Sequence, residues 1–137
     1  SIPLPTDRPV LILGAGGAAA GAVVAVADGP VVVSARRDHA AAALIERTRT
    51  DGSTVPWGTP VDGAVVVNAT PMGMDRESLP REVLDAASGF FDLTYGAVES
   101  PSIRYARERA IPSADGKELL IGSGSVIRDL DRGSGAD

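Results

Sequence analysis

Cysteine is absent from the 137 residues, while histidine and lysine each occur once. Without cysteine there are no disulfides and no thiolate ligands, which fits a cytoplasmic protein. His39 alone leaves a histidine metal cage, or a triad in a site needing a second histidine, poorly supplied. Positive charge is scarce as well. Lys and Arg number 13 against 18 Asp and Glu, a net charge of -5, so the basic stripe of a nucleic-acid surface is not expected. A signal peptide is not expected either, because Asp7 and Arg8 are the only charges before the first apolar run and no basic leader precedes it. No repeat of the length a solenoid needs is visible.

What is present is an apolar fraction of 44%, ordinary for a globular chain of one-domain size. Residues 1–8 read as a leader and residues 9–121 as the domain. Residues 122–137, "GSGSVIRDLDRGSGAD", read as a polar tail expected to be mobile, with little beyond Val126, Ile127 and Leu130 to bury. Val10 to Ala27 is uncharged over about the length of a membrane helix. Its glycines and alanines point instead to two elements joined by a turn, and no membrane partner is expected. Val10–Leu13 suits a buried parallel strand, Ala18–Ala27 a helix, and Asp28-Gly29-Pro30 its stop.

The alternation then continues. Strands are expected at Val31–Val33, Ser53–Trp57 (an edge, because Pro56 lacks a donor), Ala64–Asn68, Phe90–Leu93 and Ile111–Ser113. Helices are expected at Asp38–Thr48, Pro80–Ala87, Ser100–Ala110 and from Lys117 to Ile121, with Asp38 as cap or first-turn residue and Pro101 early in its helix. Strand–helix alternation implies an α/β fold: a doubly wound, mostly parallel sheet with helices on both faces, Rossmann-like.

"GAGGAA" lies where the first strand meets the first helix. Gly14 permits a tight turn, Gly16 a close backbone approach to a pyrophosphate, and Ala19 close packing of helix on sheet. The first helical N–H groups and the positive end of the helix dipole then face the phosphates. The alternative is a tight turn without a ligand. At the end of the second strand, where an NAD site usually has Asp or Glu, stand Ser34-Ala35-Arg36-Arg37. Two guanidinium groups suit the 2′-phosphate of NADP better than the bare ribose of NAD. The bland reading is a solvated arginine pair.

Two further segments, "NATPMGM" (Asn68–Met74) and "FDLTYGAVESP" (Phe91–Pro101), join "VLILGAGGAA" in a pattern that resembles the shikimate dehydrogenase family, specifically its C-terminal NADP-binding domain. The resemblance covers about Pro9 to Ile121. It implies that Gly14, Ala15, Gly16, Gly17 and Ala18 hold the pyrophosphate. It also implies that Arg36, helped by Ser34 and Arg37, takes the adenosine phosphate in place of the family's Asn-Arg-Thr. By the same resemblance Asn68, Ala69, Thr70 and Pro71 line the cofactor groove, and Leu93 packs near the nicotinamide. Tyr95 touches the carboxylate side of a shikimate-like substrate, and Gly116 and Leu119 of "DGKELL" close over the nicotinamide. Beside these stand plainer readings: Asn68 as the cap of a strand-end turn, Tyr95 as an aromatic over one end of the core, Leu119 as an ordinary helix residue.

The sequence also departs from the family. Ser123 stands where a substrate-reaching glutamine belongs, and the polar tail where the family has a closing helix. The family's catalytic lysine–aspartate pair belongs to an N-terminal domain; Lys117 does not match that lysine, and neither Asp92 nor Asp115 pairs with it in an obvious way. No catalytic residue is therefore assigned. The resemblance implies the NADP-binding half of a dehydrogenase that moves a hydride between 3-dehydroshikimate or shikimate and NADP(H), inactive alone. The alternatives are a non-catalytic NADP(H) sensor or interaction module, and a dehydrogenase for a related cyclohexene acid. An exposed wall of the usual interdomain cleft makes a homo-oligomer a further hypothesis.

Overall fold

A computed structural model describes residues 8–25, 30–70, 79–93 and 100–115. The uncharged run divides as its glycines suggest. Strand β1 (Val10–Leu13) is buried along its whole length, and helix α1 (Gly17–Ala25) follows after a three-residue turn. Then come β2 (Val31–Ser34), α2 (Asp38–Thr48), β3 (Ser53–Val55), β4 (Val65–Asn68), α3 (Arg81–Asp85), β5 (Gly89–Asp92), α4 (Pro101–Glu108) and β6 (Ser113–Asp115). All neighbouring strands are parallel, in the order β3-β2-β1-β4-β5-β6. The chain thus builds outward from β1 in one direction, returns to the middle, and builds outward from β4 in the other.

Both faces of the sheet are covered, which is why its inner strands read as unbroken apolar runs rather than alternating ones. Val10, Ile12, Val33, Val67 and Phe91 pack with Ala19 and Val23 of α1 and Ala41 and Leu44 of α2. Leu11, Leu13, Val66 and Phe90 pack with Leu79, which precedes α3, with Val83 and Leu84 of α3, and with Ile103 and Ala106 of α4. Consecutive residues of β5 therefore serve opposite cores: Phe90 one, Phe91 the other. Among the described residues no helix is long and apolar enough to cross a membrane.

Several boundaries move from their expected places. β3 stops at Val55, before Pro56, which has no N–H for the ladder. β6 begins at Ser113, two residues into the segment expected as Ile111–Ser113. The displaced residues end α4 instead: Ala110 takes a positive φ of 57°, and the Ile111 amide donates to the Ala106 carbonyl at 2.9 Å. Arg37, extended at φ -111°, holds the N-cap position of α2, so Asp38 is the first helical residue and not the cap. At α4 the sequence signal holds, with Ser100 Oγ accepting from the Ile103 amide and Pro101 in the first turn. The expected helix from Lys117 to Ile121 and the tail lie outside the described residues.

α3 and α4 are tied at the surface. Tyr105 Oη donates to Asp85 Oδ1 at 2.7 Å, and the Arg109 guanidinium lies 3.5 Å from the Tyr105 ring centroid and 3.5 Å from Asp85 Oδ1. The hydrogen bond to Asp85, aided by partial desolvation, raises the phenol above its ordinary 10.0, against the opposing pull of Arg109. Asp85→Asn removes both the ionic acceptor and the negative charge. An ultraviolet absorbance titration is expected to show the Tyr105 phenol ionising at lower pH in that variant than in the parent chain; an unchanged curve would contradict the bond.

Candidate functional site

The centre of the sheet, where β1 and β4 lie side by side and their onward connections depart in opposite directions, is the switch point at which doubly wound sheets open a ligand crevice beyond the carboxyl ends of their strands. Three backbone bonds carry the ladder one step past the strand ends: Gly14 N–H to Ser34 O at 2.8 Å, Ala69 N–H to Leu13 O at 2.9 Å, and Leu93 N–H to Asn68 O at 3.0 Å. They hold the loops that leave the sheet at fixed heights.

Gly14 makes the turn at φ +111°, and the Ala69 carbonyl oxygen and Thr70 Cγ2 would each lie 3.1 Å from a Cβ placed there. The two loops touch across a glycine, and no side chain fits between them. Gly16 and Gly17 differ: a Cβ on either meets nothing within 4 Å, and with Ala18 they stand exposed at the start of α1. Protein packing does not demand glycine at these two positions. The open ground faces the first turn of α1, which carries no acidic side chain, so nothing within that turn offsets the positive end of the helix dipole. Ala19 is buried against the sheet, filling the packing role expected of the third small residue. Ala15, Ala69 and Leu93, half-buried, pack on the α1-side core at the same edge.

Beyond the tip of β2, Arg36 and Arg37 are both exposed, and the Arg36 guanidinium carbon lies 5.7 Å from the centroid of the Trp57 ring. Ser34 is buried, and its hydroxyl donates to the Pro56 carbonyl at 3.2 Å, tying β2 to the exit of β3.

Asn68 and Thr70 are buried within a hydrogen-bonded chain. Asn68 Oδ1 accepts from the Thr70 amide (3.0 Å) and hydroxyl (2.6 Å), while its Nδ2 donates to Asp92 Oδ1 at 3.1 Å. Ser100 Oγ donates to Asp92 Oδ2 at 2.9 Å and accepts from α4. The plainer reading of Asn68, a strand-end turn cap, describes its side chain, and the residue shapes the crevice by holding the loop rather than by facing outward. Sequence reasoning gave no binding role to Asp92, Ser100 or Trp57. Only Ser100, preceding a proline at a helix start, carried a local signal for its helix-capping role.

No family model matches the chain. Shikimate dehydrogenase (NADP(+)) of Methanocella arvoryzae is 38% identical over 132 residues, spanning 87% of this chain and 48% of that enzyme. The enzyme of the same description from Archaeoglobus fulgidus is 33% identical over 137 residues, spanning 90% and 50%. The chain is a relative of the shikimate dehydrogenases. It spans about half the length of the curated relatives it matches. Among solved structures, the Ael1 enzyme of Pseudomonas putida superposes with a TM-score of 0.71 at 32% identity, over 88% of this chain and 48% of that one. Shikimate 5-dehydrogenase of Thermus thermophilus, solved in complex with NADP(H) and shikimate, gives a TM-score of 0.71 at 25% identity over 95% and 57%. Of the positions singled out by resemblance to the shikimate dehydrogenases, Pro71, Tyr95, Gly116 and Leu119 lie outside the described residues. The others gather at one edge of the sheet, around the crevice.

Proposed function

We propose that this chain is the NADP-binding half of a shikimate dehydrogenase-type oxidoreductase, its substrate half being supplied by residues beyond this sequence. The observation that carries the reading is the pairing of exposed, uncrowded Gly16 and Gly17 at the start of α1 with two exposed arginines at the tip of β2. Gly16, Gly17 and Ala18 would hold the pyrophosphate on the helix N-terminus, and Gly14 and Ala15 would shape the turn beneath it. Arg36 and Arg37 would take the 2′-phosphate, a dianion that a guanidinium fork matches and a carboxylate would repel. Leu93, Ala69 and Ala15 supply an apolar edge for the rest of the cofactor.

When bound, the nicotinamide supplies or accepts the hydride exchanged with the ring alcohol or carbonyl of a shikimate-like acid. This chain's part is to bind and orient it. No group among the described residues is assigned the hydroxyl proton, which belongs to the substrate half.

Calorimetric titration with NADP+ and NAD+ tests the reading. NADP+ is expected to bind at least about tenfold more tightly, and Arg36→Ala to lower NADP+ affinity by about tenfold while leaving NAD+ unchanged, the cost of one charge-assisted contact. Binding of neither nucleotide, or equal binding of both, would refute it. Mixing with a separately produced substrate half then separates the dehydrogenase from a non-catalytic NADP(H) sensor: turnover of shikimate with NADP+ supports the first, and intact binding without turnover the second.

A further inference from the structure

Trp57 is the one tryptophan of the chain, and it lies outside every motif the sequence offered. It sits in a tight turn beyond β3 whose geometry is fixed from several sides. The Pro56 carbonyl accepts from the Thr59 amide at 3.1 Å, the Thr59 hydroxyl at 2.7 Å and the Ser34 hydroxyl at 3.2 Å. Gly58 closes the turn with φ +84°. The indole is half-buried, packed on the α4-side core, so one part of the ring is anchored in apolar surroundings. Arg36 lies over it at 5.7 Å from the centroid. Because Ser34 fastens the β2 strand to this turn, the ring and the arginine are held on one frame.

We infer that Trp57 is a positioning residue for Arg36, holding its guanidinium at the tip of β2 where the 2′-phosphate arrives, and so contributing to the choice of NADP over NAD. This rests on the NADP-binding reading above. The physical ground is that a long, flexible arginine loses side-chain freedom on binding a phosphate. A guanidinium already resting on an aromatic face has lost part of it beforehand, and the face attracts the cation without competing for its N–H donors.

Affinities for NADP+ and NAD+ are to be measured for the parent chain, Trp57→Leu, Trp57→Phe, Arg36→Ala and the Arg36→Ala/Trp57→Leu double variant, each checked by thermal melting. Trp57→Leu is expected to weaken NADP+ by about two- to fivefold and leave NAD+ unchanged, with Trp57→Phe restoring most of the difference. In the Arg36→Ala background, Trp57→Leu is expected to add nothing, since its effect passes through Arg36. Tryptophan emission of the ligand-free chain is expected to shift in Arg36→Ala, a readout independent of cofactor. A parent chain with no NADP+ preference refutes the NADP-binding reading and this inference with it. A normal preference in the parent overturns this inference alone under any of three outcomes: Trp57→Leu changes neither affinity, it weakens both nucleotides equally (a contact with their shared adenosine or a damaged fold), or it adds its full loss to that of Arg36→Ala.

Discussion

Gly14→Ala is expected to lower the free energy of unfolding by about 2–5 kcal/mol and to abolish nucleotide binding. Two costs combine. The backbone at φ +111° is one that side-chain-bearing residues rarely adopt, and the new methyl would lie 3.1 Å from the Ala69 carbonyl oxygen and Thr70 Cγ2. Neither neighbour is free to yield. The Ala69 amide is bonded to Leu13, and Thr70 is held through both its amide and hydroxyl by Asn68. Gly16→Ala is the matched control: its Cβ meets nothing within 4 Å and its φ lies outside the left-handed region. Its stability is expected to stay within about 1 kcal/mol of the parent while its methyl projects into the ground where we propose that the pyrophosphate binds. Urea midpoints and calorimetric titration of both variants separate the two roles. A Gly14→Ala chain as stable as its parent would show that the two loops do not meet as described.

Asp92→Ala carries the second large effect, a loss of about 2–4 kcal/mol measured by denaturant unfolding. Asp92 is buried, and its carboxyl accepts from Asn68 Nδ2 and from Ser100 Oγ. Removing it takes an acceptor from a buried amide donor and slackens the residue that caps α4, each worth about 1 kcal/mol or more. Asp92→Asn is expected to lose less, because its remaining carbonyl oxygen can still accept one of the two bonds. The damage should also spread to the crevice. Amide hydrogen exchange at Thr70 is expected to quicken in Asp92→Ala, because Asn68 is the link between Asp92 and the loop. A loss below about 1 kcal/mol, with Thr70 exchange unchanged, would mean that the chain of bonds does not brace the loop.

The contrast between these two sites marks what the sequence could and could not convey. Gly14 was legible because a turn with positive φ selects glycine locally, between an apolar strand and an alanine-rich helix. β1, α2 and the parallel character of the sheet were legible for a similar reason: a short apolar run, an alanine-rich stretch and the alternation of strands with helices are properties of neighbours in the chain. The role of Asp92 was not, since its partners lie 24 and 8 residues away and come together only when β4, β5 and α4 are in place. Arg36 was visible as a charge, whereas the ring beneath it arrives from the far side of β3. The start of β6 was misplaced because Ala110, where a glycine would have announced the helix end, takes the left-handed turn itself.

The order of the strands has one more consequence. The halves β1–β3 and β4–β6 are joined within the sheet by a single strand pairing, β1 with β4. The glycine turn, which follows β1, and the Asn68–Thr70 loop, which follows β4, meet on that seam. A molecule bound across the top of both would act as a staple, since its contacts with the two loops are lost together if the halves part. Its binding free energy is thereby added to the resistance of the whole chain to unfolding, by mass action and in proportion to the logarithm of its concentration above the dissociation constant.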